Sequence, residues 1–296
     1  MRFDLWSVAS LSGSFLNDIV IDTKHKFAYI ADSGIPVDET LPVQGGLISL
    51  DYANNKVKRI LNAYPYMNDD PSLWVTINGE HVSEASPMKT GCDGIALSCD
   101  GDKLFFTPLT SRIMYGIETE VLRNFDYSDD DYDSKVAELG YKSSAADGLS
   151  ASSKGTVYMT SIELNGILTY DKNSLDPEDF NYKEFEVAAM NDTTMMWPDT
   201  IGWDDNNKRL VFVSNQLHHF TGGTINFENP KYGDYNYRIW AVEVDDKSYI
   251  NGCHDDSSSS DDDSFPIWAI IVICLVVVII VSVGVGIFLY KRRNSE

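Results

Sequence analysis

A hairpin pattern recurs four times along this chain of 296 residues. Each copy consists of a polar residue, an aliphatic residue two places later, a polar turn, and an aromatic or β-branched run. The polar residues that open the copies, the openers, are Asn17, Asp93, Asp147 and Asp199. A turn between two β-friendly runs predicts a hairpin, and one hairpin cannot bury its own apolar face. The recurrence therefore predicts a fold built from repeated hairpins.

The spacing of the openers indicates the type of repeat. They recur at steps of 76, 54 and 52 residues, and an insert from Tyr64 to Met88 lengthens the first step. A second pair of strands follows the first hairpin in runs that begin at Gly45, Asn165 and Tyr237. Repeats of about 50 residues with four short strands are typical of propeller blades. A helical solenoid would need a sustained 3.6-residue apolar spacing, which does not occur before residue 265.

Short motifs in a consistent order resemble the major royal jelly and yellow protein family. They are FLNDIVID, AYIADSG, GGLISLDY, DGIALS, FFTPLTSR, YGIETEVLRN, WPDTIGWD, and SNQLHHF followed by NYRIW. The resemblance covers nearly all of residues 15–244. It implies a propeller of six blades, secreted in most members, that binds small ligands in or near its central channel. Residues 15–245 hold about four blade periods. We therefore expect an all-β propeller with about four blades of the six-bladed pattern, as a truncated product or an open arc.

A long apolar run near the C-terminus predicts a membrane span. Residues 267–290 contain no charge and are followed by a basic triplet at 291–293. At 1.5 Å per residue a helix of this length reaches roughly 36 Å, enough for a hydrocarbon core of about 30 Å. Trp268 and Tyr290 lie near its ends, where amphipathic aromatic side chains favour the interface. We expect a single transmembrane α-helix at 267–290 and a short basic cytoplasmic tail at 291–296.

The remaining segments complete the predicted domain organisation. Residues 1–14 form an N-terminal segment, residues 15–250 hold the propeller, and residues 251–266 are an acidic, Ser/Asp-rich stalk that cannot form a core. The basic triplet after the span places the propeller outside the cell or in a lumen. Asp4 interrupts the short apolar region that a signal peptide would need. A tail-anchored protein with a cytosolic propeller is therefore the alternative.

Composition and motifs narrow the function. A net charge of −22 repels phosphate backbones, so nucleic acid is not an expected partner. The sequence has no G-x-S-x-G elbow, H-E-x-x-H motif, phosphate-binding glycine loop or C-x-x-C pair. We expect a membrane-anchored module that binds a small molecule or an extracellular partner at the central channel. The alternative is a metal-assisted enzyme resembling gluconolactonase-type propellers, since propellers host both classes.

The four openers are the candidate site residues. The innermost strand of each blade lines the channel, so Asn17, Asp93, Asp147 and Asp199 should meet there as a ring of oxygen donors. Three carboxylates and one amide suit a hard divalent cation such as calcium. Similar rings hold the metal in gluconolactonase-like propellers, which these positions resemble. The alternative is that Asp and Asn open strands because they hydrogen-bond nearby backbone in turns. Apart from this cation, no cofactor is predicted.

Cysteines and one sequon bear on the cellular compartment. Cys92 and Cys99 lie at the two ends of one predicted strand, too far apart to bond to each other. Cys253 is expected to be an inert thiol of the stalk, with pairing between chains as the alternative. Asn191, in the tripeptide Asn-Asp-Thr, is a predicted glycosylation acceptor in the secretory pathway.

Three further features are interpreted structurally. His218 and His219 would point to opposite faces of a predicted strand, so at most one could join a given site. The acidic run at 126–133 is read as a solvated loop, because Ser134 and Gly140 stand where a calcium-binding loop needs Gly and Glu. The large aromatic residues of the last repeat are expected to pack between blades: Trp197, Trp203, Trp240 and Phe220.

Overall fold

The computed structural model describes residues 2–36, 43–170, 186–221, 223–227 and 235–253. Contacts divide the chain into two compact units, Met1–Cys253 and His254–Glu296, and only the first contains described residues. The predicted span at 267–290, the basic tail and the part of the stalk after Cys253 lie outside them. Within the described ranges, no helix is long and apolar enough to cross a membrane.

Fifteen of the seventeen strands in the described residues form four antiparallel blades. Blade 1 contains β1 (Leu16–Asp22), β2 (Phe27–Asp32), β3 (Gly46–Asp51) and β4 (Lys56–Ile60). Blade 2 contains β7 (Cys92–Leu97), β8 (Lys103–Pro108), β9 (Ile113–Glu118) and β10 (Ala137–Tyr141). Blade 3 contains β11 (Leu149–Ala151), β12 (Val157–Ser161), β13 (Gly166–Tyr170) and β14 (Glu186–Met190). Blade 4 contains β15 (Pro198–Asp204), β16 (Arg209–Asn215) and β17 (Tyr237–Glu243).

The prediction of an all-β propeller with four blades is confirmed. Each blade is a meander in which consecutive strands pair in sequence order, from the inner strand outward. The openers lie at or just before the starts of the inner strands β1, β7, β11 and β15. The connections between blades lie at this same end, the opener face, and the tight turns after the inner strands lie at the opposite end, the turn face. Blade 4 has three strands rather than four within the described residues.

Neighbouring blades pack face to face through apolar clusters. Blades 1 and 2 share a cluster that includes Tyr29 and Phe106, and blades 2 and 3 share one that includes Phe105 and Met159. Phe105 and Phe106 are neighbours in β8 and point to opposite faces, so one strand serves both interfaces. Blades 3 and 4 meet through a further cluster around Phe212. The apolar runs that repeat in the sequence thus form the cores between blades.

Two glycines allow the inner strands of adjacent blades to approach closely. A Cβ atom on Gly94 would lie 2.8 Å from the carbonyl oxygen of Asp147. A Cβ atom on Gly148 would lie 2.5 Å from the carbonyl oxygen of Asp199. Real Cβ contacts are longer than this, so a larger residue would push the blades apart. Because neither glycine has a side chain, the inner strands of blades 2, 3 and 4 can approach closely, and their openers lie near one another.

The insert at 64–88 lies on the opener face. It contains a 3-10 helix (Pro65–Met67) and a small hairpin of β5 (Thr76–Ile77) and β6 (Glu80–His81). Val75 and Ile77 pack on the ends of the other blades in a cluster that contains Trp197. Asn78 holds the hairpin in place, because its Oδ1 accepts a bond from Asn165 Nδ2 at 2.7 Å and its Nδ2 donates to Asp192 O at 2.9 Å. The insert thus covers blades 2 to 4.

A C-terminal strap, residues 245–253, crosses the turn face and contacts all four blades. Ser248 N donates to Asp205 Oδ1 of blade 4 at 2.7 Å, and Ser153 Oγ of blade 3 donates to Asp246 Oδ1 at 2.9 Å. The hydroxyl oxygen of Tyr249, in a 3-10 helix (Tyr249–Asn251), accepts a bond from Ile21 N of blade 1 at 3.0 Å. The strap ends in a disulfide to blade 2. The strap therefore links all four blades.

That disulfide, Cys99–Cys253, corrects the prediction of an inert stalk thiol. The two cysteines are 154 residues apart, and their Cα atoms lie 4.8 Å apart. The pairing depends on the path of the strap across the turn face, which the local sequence does not reveal. The first compact unit ends at Cys253. Cys92 is a buried free thiol, and it does not bond to Cys99, as predicted.

Three short helices complete the described structure: α1 (Thr119–Arg123), α2 (Asp129–Asp133) and α3 (Leu217–Thr221). The interpretation of the acidic run as a solvated loop was wrong in part, because α2 occupies it. Ser128 caps this helix by accepting a bond from Asp131 N at 3.3 Å, and Tyr132 is fully buried among the apolar residues of blades 1 and 2. An amphipathic turn with a good N-cap therefore replaces the expected loop.

Candidate functional site

The openers of blades 1 to 3 lie close together on the opener face, near the starts of the inner strands. Asn17 Nδ2 donates a hydrogen bond to Asp93 Oδ1, and Ser33 Oγ donates to Asp93 Oδ2 at 3.2 Å. The charge of Asp93, in the neighbouring blade, acts on the carboxyl group of Asp147. The close inter-blade approach at Gly94 allows this proximity.

Asp147 is fixed by groups from blades 3 and 4. Trp197 Nε1 donates to its Oδ2 at 2.6 Å, and Trp197 is completely buried. The backbone N–H groups of Asp147 and Gly148 donate to Thr160 Oγ1 at 2.9 and 3.0 Å. The indole donor comes from the residue two places before the opener of blade 4. One buried tryptophan therefore connects the cluster to the outer part of the opener face.

Asp199 and Asp18 extend the cluster. Asp199 Oδ2 accepts a bond from Asn215 Nδ2 at 2.6 Å, and its charge acts on Asp18, Asp93 and Asp147. Asp18 Oδ2 accepts a bond from Ile95 N of blade 2 at 3.0 Å. The sequence pattern missed Asp18 because the opener position was assigned to its neighbour Asn17. The signal that could have identified it is its position two residues before the buried Val20.

Burial makes these carboxyl groups weak acids. It raises the pKa of Asp93 to about 7, and the charges of Asp18 and Asp199 raise it further while bonds from Asn17 and Ser33 oppose the shift. Burial also raises the pKa of Asp18 to about 6. The pKa of Asp147 is well above its usual range for the same reason, with Asp93 and Asp199 adding to the effect. The cluster therefore retains protons close to neutral pH.

A buried lysine lies within electrostatic range of the cluster. Lys142 Nζ donates to Pro108 O at 3.3 Å, and its side chain has no exposed surface. Burial lowers the pKa of Lys142 to about 7, and the neighbouring Arg112 lowers it further, whereas Glu163 and Asp93 oppose the shift. Asp18, Asp93 and Lys142 therefore have pKa values that burial moves toward neutrality, from opposite directions for the acids and the base.

The openers do not form a ready cage for calcium. Among the described residues, no three His, Cys, Asp or Glu side chains are grouped so that they could hold a metal ion. Oxygen atoms of Asp147 and Asp199 accept bonds from Trp197 and Asn215 instead, and Asn17 directs its amide nitrogen at Asp93. The donor set therefore does not fit a cation as it stands, and the calcium ring stays a prediction.

A cavity of about 770 Å³ opens on the opener face, and none of the cluster's carboxyl groups lines it. One wall is the insert, from Ile77 to Ala85, and the other consists of Met196, Thr224 and the two histidines of α3. The expectation that His218 and His219 point to opposite sides was wrong. They lie on a helix rather than a strand, and both line the cavity, with their ring centroids 4.1 Å apart.

The floor of the cavity is connected to the acidic cluster through ring stacking. The His218 ring lies parallel to the Trp197 ring at a centroid distance of 6.2 Å, and Trp197 bonds to Asp147. Burial, followed by the charge of His219, lowers the pKa of His218 to about 4, so this imidazole is neutral at physiological pH. Stacked rings held by one buried bond form a rigid floor.

The remaining predicted residues divide into two groups. Trp203 and Trp240 pack between blades 3 and 4, as expected, and Trp197 is buried on the opener face, whereas Phe220 is 59% exposed. Asn191 is exposed, and its Oδ1 accepts bonds from the backbone of the next turn at 2.8 and 3.0 Å. Its glycosylation stays a prediction.

Comparison with known proteins identifies relatives at the level of sequence and fold. The family model described as major royal jelly protein matches residues 2–253. Major royal jelly protein 3 of Apis mellifera is 25% identical over 242 residues, which cover 76% of this chain and 39% of that protein. The chain thus spans well under half the length of the curated relative that it matches.

Solved structures give weaker similarities. Regucalcin from Agrobacterium tumefaciens, described as a calcium-binding protein, is 12% identical with a TM-score of 0.47, over 80% of this chain and 64% of that one. A luciferin-regenerating enzyme is 15% identical with a TM-score of 0.45, over 81% and 64%. The gluconolactonase XC5397 from Xanthomonas campestris is 13% identical with a TM-score of 0.41, over 67% and 53%. Scores this low say nothing about the activity of this chain.

Proposed function

The chain belongs to the major royal jelly protein family, and on that premise we propose that it is a propeller that binds a small molecule on its opener face. The observation that carries the proposal is the cavity of about 770 Å³ between the insert and α3. This volume lies in the range of small-molecule sites, which are concave and mostly apolar with a few polar groups. The cavity is linked to the opener cluster through the His218 ring, which stacks on Trp197, the donor to Asp147.

The lining indicates the kind of ligand. Ile77, Val82 and Met196 supply apolar surface, and Glu80 and Glu84 supply negative charge. None of the described residues that line the cavity is Lys or Arg. Two imidazoles on α3 offer hydrogen bonds from the opposite wall. A neutral or positively charged molecule with an apolar body fits this lining better than an anion does.

Filling the cavity tests the proposal. Ala85 lines it and is exposed, so Ala85→Trp should occupy the space without disturbing a core. A matched control is Ala53→Trp, the same change at an exposed turn-face residue. A thermal-shift screen of uncharged and cationic metabolites should give compounds that raise the melting temperature. A ligand at 100 times its Kd adds about 2.7 kcal/mol to the free energy of unfolding. Ala85→Trp should abolish these shifts, and Ala53→Trp should keep them. Equal shifts in both variants would contradict this site.

We further propose that the propeller is tethered to a membrane and faces away from the cytosol. The uncharged run at 267–290 and the basic triplet after it support the tether and its orientation. The disulfide Cys99–Cys253 supports the same orientation, because disulfides persist in oxidising compartments and are rare in the cytosol. We make no proposal for the alternative function, a metal-assisted enzyme. Among the described residues, no group of His, Cys, Asp or Glu side chains could hold a metal ion.

A further inference from the structure

We propose that Asn78, at the tip of the insert hairpin, is a site of spontaneous deamidation, and that its conversion releases the hairpin tip from the blades. The turn between β5 and β6 consists of Asn78 and Gly79, with φ values of 53° and 85°. A two-residue hairpin turn of this kind needs positive φ at both positions, which favours the sequence Asn-Gly. In the same dipeptide, the asparagine side chain loses ammonia most easily. The sequence that this turn requires is therefore also a reactive one.

The reaction needs only Asn78, Gly79 and water. The backbone nitrogen of Gly79 loses its proton and attacks Cγ of Asn78, which closes a five-membered succinimide ring. The bond from Cγ to Nδ2 breaks, and Nδ2 leaves as ammonia. Water then opens the ring at either carbonyl and gives aspartate or isoaspartate, in which the main chain runs through Cγ. No side chain obstructs the attacking nitrogen, since a Cβ added to Gly79 would meet nothing within 4 Å.

The chain contains three Asn-Gly sequences, and their surroundings differ. The pair at 78–79 is exposed, no described backbone group accepts a bond from its glycine N–H, and the flanking strands have two residues each. Asn165 is only 1% exposed, and Gly166 lies in β13 between two paired strands. Gly252 N donates to Tyr249 O at 3.0 Å. The attack needs an available nitrogen and a turn that can open, and such short hairpins open most easily.

Deamidation changes the contacts that hold the hairpin tip. Asn78 Nδ2 donates to Asp192 O at 2.9 Å, and Asn78 Oδ1 accepts a bond from Asn165 Nδ2 at 2.7 Å. In the aspartate product, a negatively charged acceptor replaces the donor that faces the Asp192 carbonyl oxygen. The Asp192 carboxylate shares the Asn165 donor, at 3.3 Å, so it lies close enough to repel the new charge. Isoaspartate adds one carbon to the main chain, which a two-residue turn does not accommodate.

The released tip belongs to the wall of the cavity. Residues 77–85 form that wall, whereas Val75 and Ile77 pack in the apolar cluster behind it. We therefore expect the tip to detach while the base of the insert stays in place. The effect on ligand binding rests on the proposed function, but the deamidation and the release of the tip do not. Because the reaction is irreversible, the intact cavity would have a limited lifetime.

Ageing the full chain in a mild detergent tests the first step. Peptide mass spectrometry detects the gain in mass when OH replaces NH2. Asn78 should deamidate at least about tenfold faster than Asn165 and Asn251, because the short hairpin opens more easily than a paired strand or the strap. The rate should rise with pH, since the attacking nitrogen must lose its proton. Equal rates at the three sites, or an unreactive Asn78, would overturn the assignment.

Hydrogen exchange tests the release of the tip. Asn78→Asp should speed amide exchange in residues 76–85 without ageing, and aged unmodified protein should approach it. Unchanged exchange in the blades shows that the variant folds. Asn55→Asp, the same change at an exposed turn-face residue with a φ of 54°, should exchange as the unmodified protein does. Equal exchange of the insert in Asn78→Asp and the unmodified protein would overturn the release.

A thermal-shift screen of the same proteins separates this inference from the proposed function. Compounds that stabilise the unmodified protein should give smaller shifts with Asn78→Asp and unchanged shifts with Asn55→Asp. If no compound shifts any of these proteins while Asn78 deamidates and the tip is released, the proposed function fails and the deamidation site stands.

Discussion

At the level of single residues, Asp147 joins the two halves of the candidate site. Its carboxyl group is influenced by the charge of Asp93 in the opener cluster, and it accepts the indole N–H of Trp197. The Trp197 ring in turn lies against His218 at the edge of the cavity. A bond to a buried indole is worth about 1 kcal/mol net, and leaving either partner unsatisfied costs about 1–3 kcal/mol. The arrangement of the cavity floor therefore depends on one carboxyl group.

The protonation of Asp93 predicts how stability depends on pH. Folded Asp93 keeps its proton up to about pH 7, whereas in the unfolded chain it loses the proton near pH 4. Between these values the native state binds more protons than the unfolded state, so the free energy of unfolding falls as pH rises. Asp93→Asn mimics the protonated form and removes this fall. We expect the variant to lose less stability than the unmodified protein between pH 4 and pH 7.

Urea denaturation at several pH values measures the effect. Asp4→Asn, at an exposed position, is the control and should follow the unmodified protein. Because Asp18 and Asp147 have raised pKa values too, Asp93→Asn should flatten the profile without making it level. Parallel profiles for Asp93→Asn and the unmodified protein would mean that Asp93 is ionised throughout this range.

At the level of elements, the strap completes the fold. It bonds to blades 1, 3 and 4 through Tyr249, Asp246 and Ser248, and it is bonded covalently to blade 2. Three of these contacts are single hydrogen bonds of modest net strength. The disulfide is different, because it closes a loop of 154 residues and so restricts the unfolded chain strongly.

Removing the disulfide should therefore destabilise the propeller substantially. We expect Cys253→Ser to lower the free energy of unfolding by about 2–5 kcal/mol, chiefly because the unfolded chain gains freedom. Denaturant titration of the unmodified protein and the variant measures the difference. A reducing agent should lower the stability of the unmodified protein to that of the variant and leave the variant unchanged. Equal stability of the unmodified protein and Cys253→Ser in the absence of a reducing agent would contradict the prediction.

At the level of the whole molecule, we expect the propeller to be attached to a membrane. The span prediction at 267–290 rests on 24 residues without a charge, followed by Lys291, Arg292 and Arg293. We expect the full chain to stay in the membrane pellet after extraction with alkaline carbonate. A chain ending at Cys253 is the matched control and should be released. Release of the full chain as well would refute the span.

The pattern of the sequence was sufficient for the blades, because they follow from strand period and repeat spacing. It was not sufficient for contacts that depend on where distant segments cross. The disulfide required the path of the strap, and the shared orientation of His218 and His219 required a helix of only five residues, too short to give a periodic signal. Asp18 was missed because the opener position was assigned to its neighbour Asn17, and the sequence does not show the register shift between Leu16 and Ile19.

The position of the disulfide also determines how mechanical load would pass through the molecule. Tension applied to the chain beyond Cys253 reaches Cys99 through the sulfur–sulfur bond and enters blade 2 directly. Blades 3 and 4 lie within the covalent loop between these two cysteines, so they are bypassed by the pull. The hydrogen bonds between the strands of blades 3 and 4 would therefore not have to resist this tension. The cavity wall formed by α3 and Met196 belongs to this unloaded region.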